Sequence, residues 1–326
     1  MSPGASLEEP DIAKEREMSS KSDRKKGISL KKFFAVALVL FVLLLGYLMA
    51  PGAIDAPENS KLTPTPTPEL TQTVTLTPKI TQTISPTSVA VSSAEQKTIT
   101  NSIGMKFVFI PAGEFDMGAP AGEKDRDDDE GPVHHVKISN AFYMGKYEVT
   151  QKQWRDVMGK NPSNFIGDNR PVVYISWNDA QGFIKKLNEK EGLNKYRLPS
   201  DAEWEYAARA ETTTRYSFGD DESKFGEYEW YAINFGDPHE VGQKKPNPWG
   251  LYDMHSNVWE WVQDSWHSNY DGAPADGSAW EGDGSSRVLR GGCWGSSPGD
   301  CRSAVRMGYE ADVLSFGCGF RLLRDL

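Results

Sequence analysis

The chain is poor in cysteine and in positive charge. It has three cysteines in 326 residues, so any disulfide scheme leaves one thiol over. Lysine and arginine total 36 against 46 acidic residues, a formal charge of −10. No basic face is available to meet a phosphate backbone, which argues against nucleic acid as a partner. Large apolar residues are also scarce in the first hundred positions outside one run. That leaves a single folded unit of roughly 225 residues.

The exception is Phe33 to Ala50, FFAVALVLFVLLLGYLMA, which is uncharged. It reaches the lower limit of the ~17–25 residues that span a bilayer. The run follows a polar leader and exceeds the apolar core of a signal peptide, so it predicts a retained transmembrane helix over 33–50. Lys21, Arg24, Lys25, Lys26, Lys31 and Lys32 precede it, whereas PGAIDAPENS follows. By the positive-inside rule, residues 1–32 form a cytoplasmic basic tail, and everything after about Pro51 lies outside the cell membrane. Residues 51–98 form a Thr/Pro-rich linker that cannot bury enough surface to offset its ordering entropy, and it therefore acts as a stalk.

The folded domain is expected over 99–326. MKFVFIPAGEFDMG reads as a strand, a turn at Pro111–Gly113 and a return strand. GEKDRDDDEGP lacks the spacing of a calcium loop and reads as a solvated acidic loop. Three helices are announced by a hydroxyl residue followed three positions later by an acid or amide: Thr150 with Gln153, Ser176 with Asp179, and Ser200 with Glu203. In the second, Ala180, Phe183, Ile184 and Leu187 recur at helical spacing and predict a buried face. After Ala210 the text is mostly loop, with tryptophans in clusters such as WEWVQDSW. So much coil must find partners for its backbone groups, and bound metal is one way to fasten it. His134 and His135 are adjacent and point to opposite faces of any strand, which disfavours a shared metal.

Six ordered segments then converge on one family: NSIGMKFVFIPAGEFDMG, HHVKISNAFYMGKYEVTQKQW, RPVVYISWNDAQGFIKKLN, YRLPSDAEWEYAARA, NPWGLYDMHSNVWEWVQDSW, and RVLRGGCWGSSPGDCRSAVR with its closing GFRLL. Together they resemble the formylglycine-generating enzyme, or sulfatase-modifying factor, family from about Asn101 to Leu323. The resemblance implies an α+β, C-type-lectin-like fold, rich in coil, with short strands and few short helices. Enzymes of the family oxidise a cysteine of an unfolded sulfatase to formylglycine with oxygen and Cu(I) held by two thiolates, soft ligands for a soft ion. Aligning Gly291–Gly292 places Cys301 on the second thiolate but Ser296 on the first. A neutral hydroxyl is a poor Cu(I) ligand. Cys293 stands beside the pair, either as a small packed residue, as a disulfide partner of Cys301 or Cys318, or as a substitute thiolate. The resemblance also implies a calcium loop, with Asp253 and Glu260 giving side-chain oxygens and Ser256 and Val258 giving carbonyls. Ser256 replaces a usual glycine, and a positive φ there would strain it. The iron-dependent sulfoxide synthases related to this family carry a histidine-rich partner domain, which this sequence lacks.

The C-terminal segment also resembles the variable region of retroelement-diversified proteins, in which a fixed frame surrounds exchangeable ligand-contacting residues. Here Trp294, Gly295, Ser296, Ser297, Gly299, Asp300, Met307, Gly308, Tyr309, Glu310 and Val313 would carry the ligand surface. The expected function is a membrane-anchored binding module for a protein or small ligand. A sulfatase-modifying oxidase and a diversified receptor are the alternatives.

Overall fold

A computed structural model describes residues 97–231 and 236–326. The tail, the apolar run at 33–50 and the stalk lie outside these residues. Among the described residues, no helix is long and apolar enough to cross a membrane.

Each hydroxyl signal opens a helix: α1 (Gln151–Met158), α2 (Trp177–Glu191) and α3 (Asp201–Arg209). All three have reciprocal capping boxes. In α3, for example, Glu203 N donates to Ser200 Oγ at 3.0 Å and Ser200 N donates to Glu203 Oε2 at 2.8 Å. Each such cap contributes about 1 kcal/mol. Ala180, Phe183, Ile184 and Leu187 are buried as their spacing predicts. Phe183 stacks on Trp154 at 5.4 Å and meets Phe320 edge-on, which joins α1, α2 and the C-terminal segment in one core. A one-turn helix, α4 (Phe225–Tyr228), follows.

Five strands form the first sheet, in the order β1 (Thr98–Thr100), β2 (Lys106–Ile110), β5 (Phe142–Gly145), β11 (Leu323–Asp325) and β6 (Tyr196–Arg197). The expected hairpin is corrected. Strand β3 (Gly113–Met117) leaves β2 and pairs instead with β4 (His134–Ile138) as a separate ribbon, Phe115 opposite Val136. The C-terminal half also holds more strand than its loop-like text suggests. There β7 (Trp259–Ser265) is the centre of a sheet ordered β10 (Cys318–Gly319), β7, β8 (Ser286–Arg290), β9 (Arg306–Glu310). WEWVQDS is buried on both faces, so it lacks the alternation that marks a half-buried strand.

The coil is fastened by buried arginines. Arg290, Arg302, Arg306 and Arg321 are each no more than 1% exposed. Arg321 forms a fork on Glu260 at 2.6 and 2.7 Å. Arg302 does the same to Glu130 at 2.7 Å on both oxygens and also takes Glu123. Arg290 bridges Asp201 and Glu205. The acidic loop is thus not wholly solvated, since Glu130 is fully buried under Arg302.

Candidate functional site

Two neighbouring loops hold the residues of interest. The first leaves β8 at Arg290 and turns on Gly291 and Gly292, at φ 92° and 80°. A side chain at Gly292 would place its Cβ 2.5 Å from Cys301 Sγ, so only glycine lets the loop fold back over that thiol. Cys293 N donates to Ser296 Oγ at 3.1 Å, and Ser296 N donates to Cys293 O at 2.8 Å. Ser297 Oγ donates to Asp300 Oδ2 at 2.7 Å, opening the short turn Pro298–Cys301. Cys301 is completely buried, and its carbonyl accepts from His255 Nδ1 at 3.0 Å. Burial lowers His255 to about 4, which keeps the ring neutral, and its Nε2 accepts from Ser217 N at 3.0 Å.

All three thiols are free. None of the considered disulfides forms among the described residues. Burial is the main cause that pushes the Cys301 thiol well up, Cys318 up to about 12, and Cys293 up. The residues do not fit the copper ion of the active enzymes. One ligand position is the Ser296 hydroxyl, already occupied by Cys293 N, and the thiol opposite is shielded and held as a neutral thiol.

Of the expected ligand surface, Gly295, Ser296, Ser297, Asp300, Tyr309, Glu310 and Val313 are at least partly exposed. Trp294 and Met307 are each 5% exposed, the latter in the hydrophobic core, so neither presents a contact face. Gly308 is not exchangeable either, because a Cβ there would lie 2.4 Å from Trp266.

The second loop runs from Asp253 to Glu260. Its left-handed residues are Asp253 at φ 59° and Asn257 at φ 65°, so Ser256 is spared the positive φ expected of it. Ser256 instead donates its hydroxyl to Trp230 O. Glu260 is occupied: besides the Arg321 fork it accepts from Trp204 Nε1 at 2.7 Å. Of the expected calcium set, Glu260 is thus engaged by Arg321 and Trp204, Ser256 by Trp230, and Asp253 and Val258 are buried in the same loop.

Asp253 keeps other company. Its Oδ2 accepts from Gly242 N at 2.7 Å, and its Oδ1 has no hydrogen-bond partner. Glu148 accepts from Asn257 Nδ2 at 3.0 Å through Oε2, leaving Oε1 unpartnered. Glu229 accepts from His255 N at 3.1 Å through Oε1, leaving Oε2 unpartnered. Burial first, then the charge of Asp253, pushes Glu148 and Glu229 well above the usual carboxylate range, and burial raises Asp253 to about 6. Sequence reasoning missed Glu148 and Glu229, for neither sits in a local motif. Among the described residues, Asp127, Asp129 and Glu130 are the one acidic trio with ligand atoms within 4.8 Å, and Glu130 there is occupied by Arg302.

His134 and His135 do point apart: His135 meets Asp116 at 3.2 Å on the surface, while the His134 ring lies 4.8 Å from that of Tyr270.

The short helices, the three small sheets and the glycine-turned loop over a buried cysteine define a C-type-lectin-like domain of the formylglycine-generating class. A family profile described as the sulfatase-modifying factor enzyme 1-like domain matches residues 92–326, and the chain belongs to this family. Similar proteins include the chaperone protein LppX of Paenibacillus barcinonensis, 32% identical over 59% of this chain and 82% of that protein. The formylglycine-generating enzyme of Streptomyces coelicolor is 29% identical, over 67% of this chain and 88% of its own length. Among solved structures, Treponema denticola variable protein 1 is 31% identical, with a TM-score of 0.63, covering 71% of this chain and 99% of that one.

Proposed function

We propose that the domain is a binding module and not a cysteine oxidase. The observation that carries this reading is Ser296, which stands where a copper thiolate is required and whose hydroxyl oxygen accepts from Cys293 N. Its counterpart Cys301 is fully buried, so an incoming substrate thiol has no exposed partner. The partly exposed rim from Gly295 to Asp300, together with Tyr309, Glu310 and Val313, supplies the recognition face for a protein or small ligand. Similarity to a protein named a chaperone is consistent with binding in place of oxidation. The apolar run at 33–50 would tether the module to the cell membrane, with the domain outside and the stalk as spacer.

A second reading, a receptor diversified by a retroelement, is favoured by the likeness to the Treponema variable protein. The burial of Trp294 and Met307 and the tight seat of Gly308 narrow the exchangeable positions to the exposed rim. A near-copy of the coding DNA beside the gene, rich in adenines at those codons, would support it.

The test is direct. The full chain, supplied with Cu(I) and oxygen, is incubated with a peptide carrying the Cys-x-Pro-x-Arg sulfatase motif, and mass spectrometry follows the cysteine. The binding reading predicts no aldehyde while the Streptomyces enzyme converts the peptide alongside. Conversion that vanishes in Cys301→Ala would overturn it.

A further inference from the structure

The chain has three Asp–Gly steps, beginning at Asp271, Asp276 and Asp283, and all fall in the connection between β7 and β8. A glycine after an aspartate sets a backbone amide beside a carboxyl with no Cβ to shield it, the arrangement in which the amide nitrogen can attack the side chain. The fold treats the three steps differently.

Asp276 and Asp283 are held in place. Oδ1 of Asp276 accepts from Ser278 N at 3.0 Å and from Ser278 Oγ at 2.6 Å. Oδ1 of Asp283 accepts from Ser285 N at 3.1 Å and from Ser285 Oγ at 2.9 Å. These Asx turns engage each carboxylate with the residue two positions on. The Ser278 hydroxyl and then its amide keep Asp276 below the usual carboxylate range, and the Ser285 amide and then its hydroxyl do the same for Asp283. Gly277 is locked as well: it is buried, a Cβ there would lie 2.6 Å from Ile138, and its carbonyl accepts from Ser200 Oγ at 2.7 Å.

Asp271 has none of these restraints. It is exposed, and among the described residues its carboxylate makes no hydrogen bond or ion pair. Gly272, at φ 83°, takes the third position of a turn closed by Ala273 N on Tyr270 O at 3.1 Å, so its own amide is not used by the turn. A Cβ at Gly272 would meet nothing within 4 Å, which leaves the step room to move.

We propose that Asp271–Gly272 is a site of spontaneous isoaspartate formation, the one Asp–Gly step that the fold leaves open. Gly272 N attacks Cγ of Asp271 in its acid form, and the N–Cγ bond forms. The Cγ–OH bond breaks, the hydroxyl leaves with the amide proton as water, and the product is a cyclic succinimide. Water then adds to either ring carbonyl. Opening at the main-chain carbonyl breaks its bond to Gly272 N and leaves the backbone running through Cγ, whereas opening at Cγ restores aspartate. One water is lost and one is gained, and nothing is oxidised. The new linkage adds a backbone atom between two anchors, Tyr270 N on Gly131 O at 2.8 Å and Lys137 N on Ala275 O at 2.9 Å. It needs only this loop, so it stands apart from the binding reading.

The experiment ages the full chain in mildly acidic buffer and samples it over weeks. Peptides are separated by chromatography and fragmented by electron transfer, which distinguishes isoaspartate from aspartate. Isoaspartate at 271 is expected to rise from its starting level, preceded by a species lighter by one water, while 276 and 283 stay at theirs. Asp271→Glu, an exposed change that lengthens the acid, should lose the isoaspartyl signal, read as methyl transfer from S-adenosylmethionine by an isoaspartyl methyltransferase. In urea the preference for 271 should disappear, because the Asx turns and the seat of Gly277 are gone. No isoaspartate at 271 in the folded wild-type chain overturns the proposal, as does earlier conversion at 276 or 283. The same preference for 271 in urea overturns the part assigned to the fold.

Discussion

The cysteine loop and the acid loop touch each other, yet the hydroxyls of one and the carboxylates of the other stand differently. Trp294 N donates to Asn257 O at 2.9 Å and His255 reaches the Cys301 carbonyl, so the two share a wall. On the cysteine side the hydroxyls of Ser296 and Ser297 and the Cys293 amide bond within the loop and the thiols are neutral, with Trp294 Nε1 left without a partner. On the acid side three carboxylate oxygens have no partner. A closed network specifies a fold and an unmet one invites a ligand. Where the family resemblance locates copper chemistry the hydroxyls are engaged within the loop, and the unmet carboxylates lie next to it.

The largest expected effect breaks this contrast at its hinge. Arg321→Met leaves Glu260 buried without its counter-ion and should cost about 3–5 kcal/mol of stability in urea unfolding, against under ~1 kcal/mol if the fork were dispensable. Ser296→Cys opens the closed side. It restores a second thiol near Cys301 and should raise Cu(I) affinity by at least about tenfold, ~1.4 kcal/mol, in competition with a chromophoric chelator. An unchanged affinity would show that the loop frame no longer matches the copper enzymes. Ser296→Ala removes the acceptor of Cys293 N and should lower stability by about 1 kcal/mol in urea unfolding. A neutral outcome would mean that water replaces the hydroxyl.

The smallest effect is one of reactivity. Raised thiol pKa values mean little thiolate at neutral pH, so native alkylation should be slow near pH 7.5 and accelerate only in alkaline solution. Cys293, half-buried, should react before Cys301 and Cys318, which are buried. Fast labelling of Cys301 at neutral pH would place a thiolate where we find a neutral thiol.

Much of the fold was legible in the sequence wherever the signal was local. Thr150, Ser176 and Ser200 each announce a helix because a capping box is complete within four residues. The error at β3 arose because a turn at Pro111–Gly113 says that the chain reverses, but not which strand it will meet. The arginine forks were invisible for a like reason: Glu130 and Arg302 are 172 residues apart, and Glu260 and Arg321 are 61 apart. The Ser296 substitution was readable because the copper motif is a single short segment. Glu148, Glu229 and Asp253 come from three segments, and only the folded chain brings them to one loop.

The most direct measurement is of copper uptake by the intact protein. The full chain is exposed to Cu(I) under anaerobic conditions beside the Streptomyces enzyme, freed of loose metal by gel filtration, and assayed by elemental mass spectrometry. The account predicts no retained copper, as a serine in one ligand position and a buried neutral thiol in the other require. Copper retained by the wild-type chain and lost in Cys301→Ala would contradict it.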